Sequence, residues 1–253
     1  MRQRGLIPAC LAAALLAVFP SLLAAAEVRV AVAANFATPL KDIGAEFEKA
    51  TGHKLLVSSG ATGKLSTQIE NRAPFDVLLA ADAEHPARLE AAKLAVAGSR
   101  FTYAVGRLVL WSADPKRVDG EGKVLATDTY AHVAIANPKT APYGAAAQQA
   151  LTRLGLWEKV QPKIVQGEDI GQTFQFAVSG AAELAFVALS QVQVPGTAAK
   201  GSVWRVPETL YAPIEQQAVL LTSAKDSAAA RAFLEFLRGA AAKAIIARYG
   251  YGS

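Results

Sequence analysis

Four short segments of this sequence place small polar side chains and glycines at the start of a predicted helix. They are AANFATP at 33–39, SSGATGKL at 58–65, NPKTAPYG at 137–144 and GEDIG at 167–171. The first N–H groups of a helix have no intrahelical acceptor, and the helix dipole adds a positive potential there. Four such segments brought together would surround an anion with neutral donors. Neutral donors avoid the cost of burying a lysine or arginine.

Individual residues in these segments have structural alternatives. Asn35 stands between a strand and a helix, where asparagine is a favoured N-cap, so a plain cap is the main alternative to binding. The second segment resembles a nucleotide P-loop, but Leu65 stands where Ser or Thr must follow Lys64, which argues against an NTPase. Asp169 is predicted to cap the helix that follows it. Its acidic side chain would then point away from a bound anion.

The segments are positioned by two predicted α/β series. In the first, strands at 27–34, 54–58 and 76–80 alternate with helices at 36–50, 65–71 and 86–94. In the second, strands at 132–136, 163–166 and 184–187 alternate with helices at 143–154, 170–178 and 189–192. Two β-rich runs at 101–105 and 107–111 lie between the series. A strand at 217–222 and helices at 227–238 and 240–249 close the chain. This alternation predicts parallel sheets covered by helices.

The end of the chain has one strand and two helices more than the second α/β series needs. In the simplest packing they return to the first lobe. The sequence therefore predicts an α/β protein of two lobes joined by two crossings, near Gly106 and near Gln217. Lobe I is predicted to contain residues 27–105 and 217–253, and lobe II residues 106–216. Such sheets bind ligands at the carboxyl ends of their strands. The predicted site is thus the cleft between the lobes.

The N-terminus has the features of a secretory signal peptide. Arg2 and Arg4 precede an apolar run that ends in the small residues 24–26. We predict cleavage after Ala26 and export to the periplasm, with 1–26 as the signal peptide. The one cysteine, Cys10, lies in this segment, so the mature chain has no disulfide or thiol site. The formal net charge is +5, and the basic residues are scattered rather than clustered, which argues against nucleic-acid binding.

The sequence resembles the periplasmic molybdate-binding proteins of ABC transporters over the whole mature chain. The resemblance is carried by VAVAANF, SSGATGKLSTQIE, APFDVLLAAD, ANPKTAPYGAAAQQAL, the GEDI turn and the closing RYGY. It implies a two-lobed type II periplasmic-binding-protein fold and a molybdate or tungstate ligand held between the lobes. It also implies a membrane permease as partner, no cofactor and a monomeric chain. Molybdenum is expected only as the bound oxyanion, with no protein atom coordinated to the metal.

The resemblance also implies site residues. Asn35 stands where the family uses Ser or Asn to bind one oxygen, and Thr62 stands at a family Ser that supplies its hydroxyl and backbone N–H. Tyr143 and Ile170 are expected to donate their backbone N–H groups. Three further residues are expected to line the site through their backbone: Ala34, Ser59 and Ala61. Some family members have a binding tyrosine where this chain has Ala188, so that contact is expected to be missing.

Two other functions stay open from the residues alone. One is a binding protein for another oxyanion such as sulfate, which has the same charge, or phosphate, which can carry a proton. The other is a periplasmic enzyme acting on an anionic substrate. The histidines His53, His85 and His132 lack metal-ligand spacing, and no G-x-S-x-G elbow is present. Asp76 and Asp82 could do acid–base work, although caps and ion pairs are the favoured interpretation.

Overall fold

The computed structural model describes residues 25–198 and 200–252. The predicted signal peptide, with Cys10, therefore lies outside the described residues except for 25 and 26. The strands are β1 (Glu27–Ala33), β2 (Lys54–Gly60), β3 (Val77–Leu79), β4 (Phe101–Gly106), β5 (Leu108–Ser112), β6 (Val133–Ala136), β7 (Ile164–Gly167), β8 (Leu184–Ala188), β9 (Ser202–Arg205) and β10 (Ile214–Leu220). The α-helices are α1 (Ala37–Thr51), α2 (Thr62–Glu70), α3 (Glu84–Ala91), α4 (Pro142–Arg153), α5 (Trp157–Val160), α6 (Ile170–Val178), α7 (Leu189–Val192), α8 (Ala228–Arg238) and α9 (Ala240–Arg248).

The strands form two five-stranded mixed sheets. The first has the order β2-β1-β3-β10-β4, with β1 parallel to β2 and β3, and β10 antiparallel to its neighbours. The second has the order β7-β6-β8-β5-β9, with β6 parallel to β7 and β8, and β5 antiparallel to its neighbours. In both sheets, strands that are far apart in the sequence lie side by side: β10 lies between β3 and β4, and β5 lies between β8 and β9. The carboxyl ends of β1 and β2 in one sheet, and of β6 and β7 in the other, lead into the four segments discussed above.

The C-terminal helices pack against the first sheet. Helix α1 buries Leu40, Ile43 and Phe47, which recur at helical spacing on one face. The ring of Phe47 contacts Phe233 and Phe236 of α8 edge-on, with centroid distances of 5.4 and 5.6 Å. These contacts join the two ends of the chain in one hydrophobic core. The second sheet has a core of its own, formed mainly with α4.

The crossings differ from the prediction by a few residues. Strand β10 begins at Ile214, and Ile214 pairs with Gly106 of β4. Both Gly106 and residues 214–216 thus belong to the first sheet, whereas the sequence assigned them to lobe II. Strand β9 was not predicted. It is a four-residue edge strand with alternating burial, too short to give a clear periodic pattern.

Helix α2 begins three residues earlier than predicted. Ala61 has an extended backbone, with φ −69° and ψ 137°, and is the N-cap. The helix therefore starts at Thr62 and includes Gly63, whose low helix propensity favoured a later start. The early start makes Thr62 the first helical residue.

Across residues 25–198 and 200–252, no helix is long and apolar enough to cross a membrane.

Candidate functional site

A small cavity lies between the two sheets. The empty space between the atoms that line it is about 200 Å³. The cavity is lined by Ala33, Ala34, Asn35, Gly60, Ala61, Thr62, Ala81, Ala141, Pro142, Tyr143 and Ile170. All of these residues are uncharged. The structure thus brings the four predicted site residues, together with Ala34 and Ala61, around one cavity.

Asn35 does not cap helix α1. It lies in a 3₁₀ turn, Ala34–Phe36, and its side chain makes no capping hydrogen bond. Its Nδ2 group instead donates to Gln216 Oε1 at 2.9 Å and to Tyr251 Oη at 3.0 Å. Asn35 Oδ1 is buried and accepts no hydrogen bond from the described residues. The capping interpretation of Asn35 is therefore wrong, and an unpaired polar atom is left at the cavity.

The Thr62 hydroxyl is completely buried at the start of α2. Its oxygen accepts a hydrogen bond from the Ala81 N–H at 3.0 Å. A hydroxyl has one donor hydrogen in addition to its acceptor lone pairs. Because the oxygen is oriented by Ala81, that hydrogen remains available for a group in the cavity.

Three helix N-termini supply backbone donors to the cavity. Thr62 and Ile170 are the first residues of α2 and α6, and Tyr143 is the second residue of α4. At these positions an N–H group has no intrahelical acceptor. Among the hydrogen bonds of residues 25–198 and 200–252, none uses the N–H of Thr62, Tyr143 or Ile170 as a donor. The N-termini of three helices therefore present free donors to the same small space.

The Ile170 turn is held by two side chains. Asp169 Oδ1 accepts from the N–H groups of Gly171 and Gln172 at 2.8 and 2.9 Å, as the predicted N-cap of α6. Gln191 bridges the turn to β8, since its Oε1 accepts from Ala188 N–H and its Nε2 donates to Ile170 O. Sequence reasoning missed Gln191, because no local pattern links α7 to the start of α6.

Ser59 does not lie at the cavity. It is exposed on β2, the edge strand of the first sheet. The expectation that Ser59 lines the site is wrong, because β2 continues to Gly60 and the chain turns inward only there. The residues that the sequence missed are Ala33, Gly60, Ala81, Ala141 and Pro142. Ala81 could have been found, since it follows the third strand of a parallel series, where ligands bind.

The two lobes are in contact on several sides of the cavity. Gly63 N–H donates to Thr140 O at 2.9 Å, and Lys64 forms an ion pair with Glu168. On the opposite side, Ser190 Oγ donates to the Asn35 carbonyl oxygen at 3.0 Å. Each contact joins an element of the first sheet to one of the second. The cavity is therefore enclosed by the closed arrangement of the lobes.

Three buried phenols bond to Asn35 or to its partner Gln216. Burial raises the pKa of Tyr143 well above the ordinary value of a phenol, and it raises the pKa of Tyr103 and Tyr251 in the same direction. All three hydroxyl groups therefore stay protonated at physiological pH. They act as neutral hydrogen-bonding groups, and they add no negative charge near the cavity.

The remaining candidate residues have structural partners. Asp76 accepts hydrogen bonds from the backbone N–H and the guanidinium of Arg29. Asp82 pairs with His85 at 2.8 Å, and His53 accepts from the Ala26 N–H. No cluster of three or more potential metal-binding side chains occurs in the described part of the chain. The acidic residues considered for acid–base chemistry thus have structural hydrogen-bond partners.

The sequence profile described as "Bacterial extracellular solute-binding protein" matches residues 28–252. The chain belongs to this family. The molybdate-binding protein ModA of Azotobacter vinelandii is 57% identical over 228 residues, 90% of this chain and 90% of that protein. The protein of the same name from Rhodobacter capsulatus is 52% identical over 228 residues, 90% and 89% of the two chains.

A solved structure agrees with the sequence relatives. The periplasmic molybdate-binding protein of Azotobacter vinelandii superposes with a TM-score of 0.87 at 44% sequence identity, over 89% of this chain and 99% of that one. These matches confirm the family resemblance and the two-lobed α/β fold predicted from the sequence. This solute-binding protein therefore has its cavity where the fold class predicts a ligand, in the cleft between the lobes.

Proposed function

We propose that this protein captures molybdate or tungstate in the periplasm and delivers it to the membrane permease of an ABC importer. The observation that carries the proposal is the convergence of free N–H groups from three helices on one small uncharged cavity. The relatives that are 57% and 52% identical are named as molybdate-binding proteins. A tetrahedral dianion is small enough to be enclosed on all sides, and each of its oxygens can accept hydrogen bonds.

The chemistry of the lining suits binding rather than catalysis. A buried dianion must exchange its hydration for fixed donors, and helix N-termini provide them without a counter-charge. The Thr62 hydroxyl adds a side-chain donor. The relatives are binding proteins, and the cavity lining offers neither a carboxylate nor an imidazole for acid–base work. We therefore infer a receptor and not an enzyme.

Export follows from the same proposal. The basic n-region, the apolar run and the small residues 24–26 support a cleaved signal peptide. A periplasmic receptor needs a partner in the membrane, and we propose the permease of the importer for that role. We further propose that the mature chain acts as a monomer, since one chain encloses the whole cavity.

Calorimetric titration of the purified protein tests the proposed ligand. We expect tight binding of molybdate and tungstate and far weaker binding of sulfate. Sulfate carries the same charge but is smaller, so we expect it to satisfy the donors of the two lobes less completely. Equal affinity for sulfate and molybdate in a competition titration would contradict the assignment.

Replacement of Thr62 tests the side-chain donor. Thr62→Val keeps the shape of the side chain and removes the hydroxyl, so we expect molybdate binding to weaken by about 1–3 kcal/mol, the usual value for a hydrogen bond to a charged group. The free energy of unfolding should also fall, because the Ala81 N–H loses its acceptor. Thr62→Ser is the matched control and should keep most of the affinity. An unchanged affinity in Thr62→Val would place the anion elsewhere.

A further inference from the structure

Gln216 connects the two sides of the cavity through its amide. It lies on β10 and is completely buried. Its Oε1 accepts from Asn35 Nδ2 at 2.9 Å and from Tyr103 Oη at 3.0 Å. Its Nε2 donates to Tyr143 Oη at 3.1 Å. One amide therefore joins Asn35 of the first lobe to the side chain of Tyr143 in the second.

The close approach depends on a glycine at the crossing. A Cβ atom at Gly106 would lie 2.7 Å from Gln216 Nε2 and 2.9 Å from Tyr143 Cζ. At such distances a side chain at this position would displace Gln216 Nε2 and the Tyr143 ring. Gly106 thus leaves the space that the Gln216–Tyr143 hydrogen bond occupies, and it does so where the chain passes from one lobe to the other.

In the arrangement described, the amide of Asn35 is oriented unfavourably for an oxyanion. Its NH₂ group is used by Gln216 and Tyr251, and the atom left unpaired is the acceptor Oδ1. An acceptor oxygen beside an anion oxygen repels it. The same oxygen would be favourable only beside a ligand that carries a proton.

A half-turn of both amides gives a second arrangement with consistent hydrogen bonds, provided that the Tyr251 hydroxyl also turns. Tyr251 Oη then donates to Asn35 Oδ1, 3.0 Å away, instead of to the Asn35 carbonyl oxygen or to Ser190 Oγ. Gln216 Nε2 then donates to Asn35 Oδ1 and to Tyr103, which can donate in turn to Ala80 O, 3.2 Å away. Gln216 Oε1 accepts from Tyr143 Oη, whose hydrogen has no acceptor among the described residues in the first arrangement. The Asn35 NH₂ group is freed and takes the position of the unpaired oxygen. This arrangement is complete only when an acceptor occupies the cavity.

We propose that Gln216 is a positioning residue that, with the hydroxyl of Tyr143, turns the NH₂ group of Asn35 toward the bound anion. The site then selects a fully deprotonated oxyanion over one that carries a proton. This inference rests on the proposed function, because it concerns how the same cavity distinguishes its ligands. The buried phenols support it, since they remain protonated and Tyr143 is thereby able to donate.

Gln216→Glu tests the proposal, with Gln217→Glu as the matched control. An ionised carboxylate at position 216 accepts from both Asn35 Nδ2 and Tyr143 Oη, and so holds the Asn35 NH₂ group away from the cavity. Gln217 is the adjacent residue on β10, but its side chain contacts Arg100 and Thr102 instead. Affinities for molybdate and for hydrogen phosphate are measured by calorimetry and competition at about pH 8, where the introduced carboxyl group is most ionised. At that pH the two ligands carry the same charge, so simple repulsion weakens both equally.

We expect Gln216→Glu to weaken molybdate binding at least about tenfold more than hydrogen phosphate binding, in line with the loss of one hydrogen bond to a charged group. Gln217→Glu should leave the ratio of the two affinities as in the unchanged protein. If thermal unfolding shows that Gln216→Glu is not folded, the same ratio of molybdate affinity to hydrogen phosphate affinity is measured in Gln216→Met. That substitution removes the amide without adding a charge. An unchanged ratio in the folded Gln216 variant overturns the inference. A protein that binds no molybdate before any substitution overturns the proposed function instead.

Discussion

Asn35→Asp is expected to abolish most of the affinity for molybdate. The substitution changes the amide NH₂ group to an oxygen, and it places a carboxylate beside a dianion in a cavity with no counter-charge. Two unit charges about 4 Å apart repel by about 4 kcal/mol at an effective dielectric constant of about 20. We therefore expect at least about a thousandfold loss of affinity. Calorimetric titration at about pH 8 measures it, because ionisation of the carboxyl group is then favoured.

The pH dependence of the same variant provides an internal check. Burial and the neighbouring anion both favour the protonated carboxyl group. Protonation removes the charge and supplies a donor, so lowering the pH from about 8 to about 6 should restore part of the affinity. The control Asn71→Asp adds an equal charge at the exposed C-cap of α2 and should change the affinity little. A loss of less than about tenfold in Asn35→Asp would mean that the Asn35 side chain does not contact the anion.

The role of Asn35 also shows where reasoning from sequence ends. Local rules predicted a helix cap, because asparagine between a strand and a helix usually is one. Its actual partners, Gln216 and Tyr251, are 181 and 216 residues away along the chain. Both belong to the part of the chain that returns to the first sheet. That return was predicted only from Gln217 onward, so the sequence placed Gln216 in lobe II. Which side chains meet Asn35 depends on the strand register, which no local pattern contains.

Backbone donors were easier to predict than side-chain partners. The starts of α4 and α6 carry the N–H groups of Tyr143 and Ile170. They are favoured by Pro142 in the first turn of α4 and by Asp169 at the N-cap of α6. The prediction for Ser59 failed because β2 ends two residues later than predicted, at Gly60, so the backbone of Ser59 still belongs to the strand. The positions that lack a side chain to recognise, such as Gly60 and Ala81, were missed. Many residue types can present a backbone N–H group, so the sequence carries little information about which residues line a site built from such groups.

Closure of the two lobes could not be predicted from the sequence either. The contacts of Gly63 with Thr140 and of Lys64 with Glu168 join segments that are far apart in the chain. None of these residues has a pattern that indicates its partner. These contacts hold the two lobes together beside the cavity, and only the folded chain reveals them.

Gly144→Ala is expected to be strongly destabilising, although alanine is the better helix former. Gly144 lies in the first turn of α4, directly after Tyr143. A Cβ atom there would lie 2.7 Å from the Ala136 carbonyl carbon and 3.0 Å from that of Asn137. These are backbone atoms at the end of β6, so no change of rotamer relieves the contact. We expect the free energy of unfolding to fall by at least about 3 kcal/mol, the upper part of the range for overpacked sites.

Gly44→Ala separates this steric effect from helix propensity. Gly44 lies within α1, and a Cβ atom there would meet only the flexible end of the Leu55 side chain, at 3.3 Å. Alanine should therefore leave the stability unchanged or raise it by up to about 1 kcal/mol. Urea unfolding without ligand measures both variants. Molybdate affinity should fall in Gly144→Ala alone, because the helix start that carries the Tyr143 N–H must shift. Equal stability of the two variants would show that α4 can move away from β6, and that the Tyr143 donor is not held rigidly at the cavity.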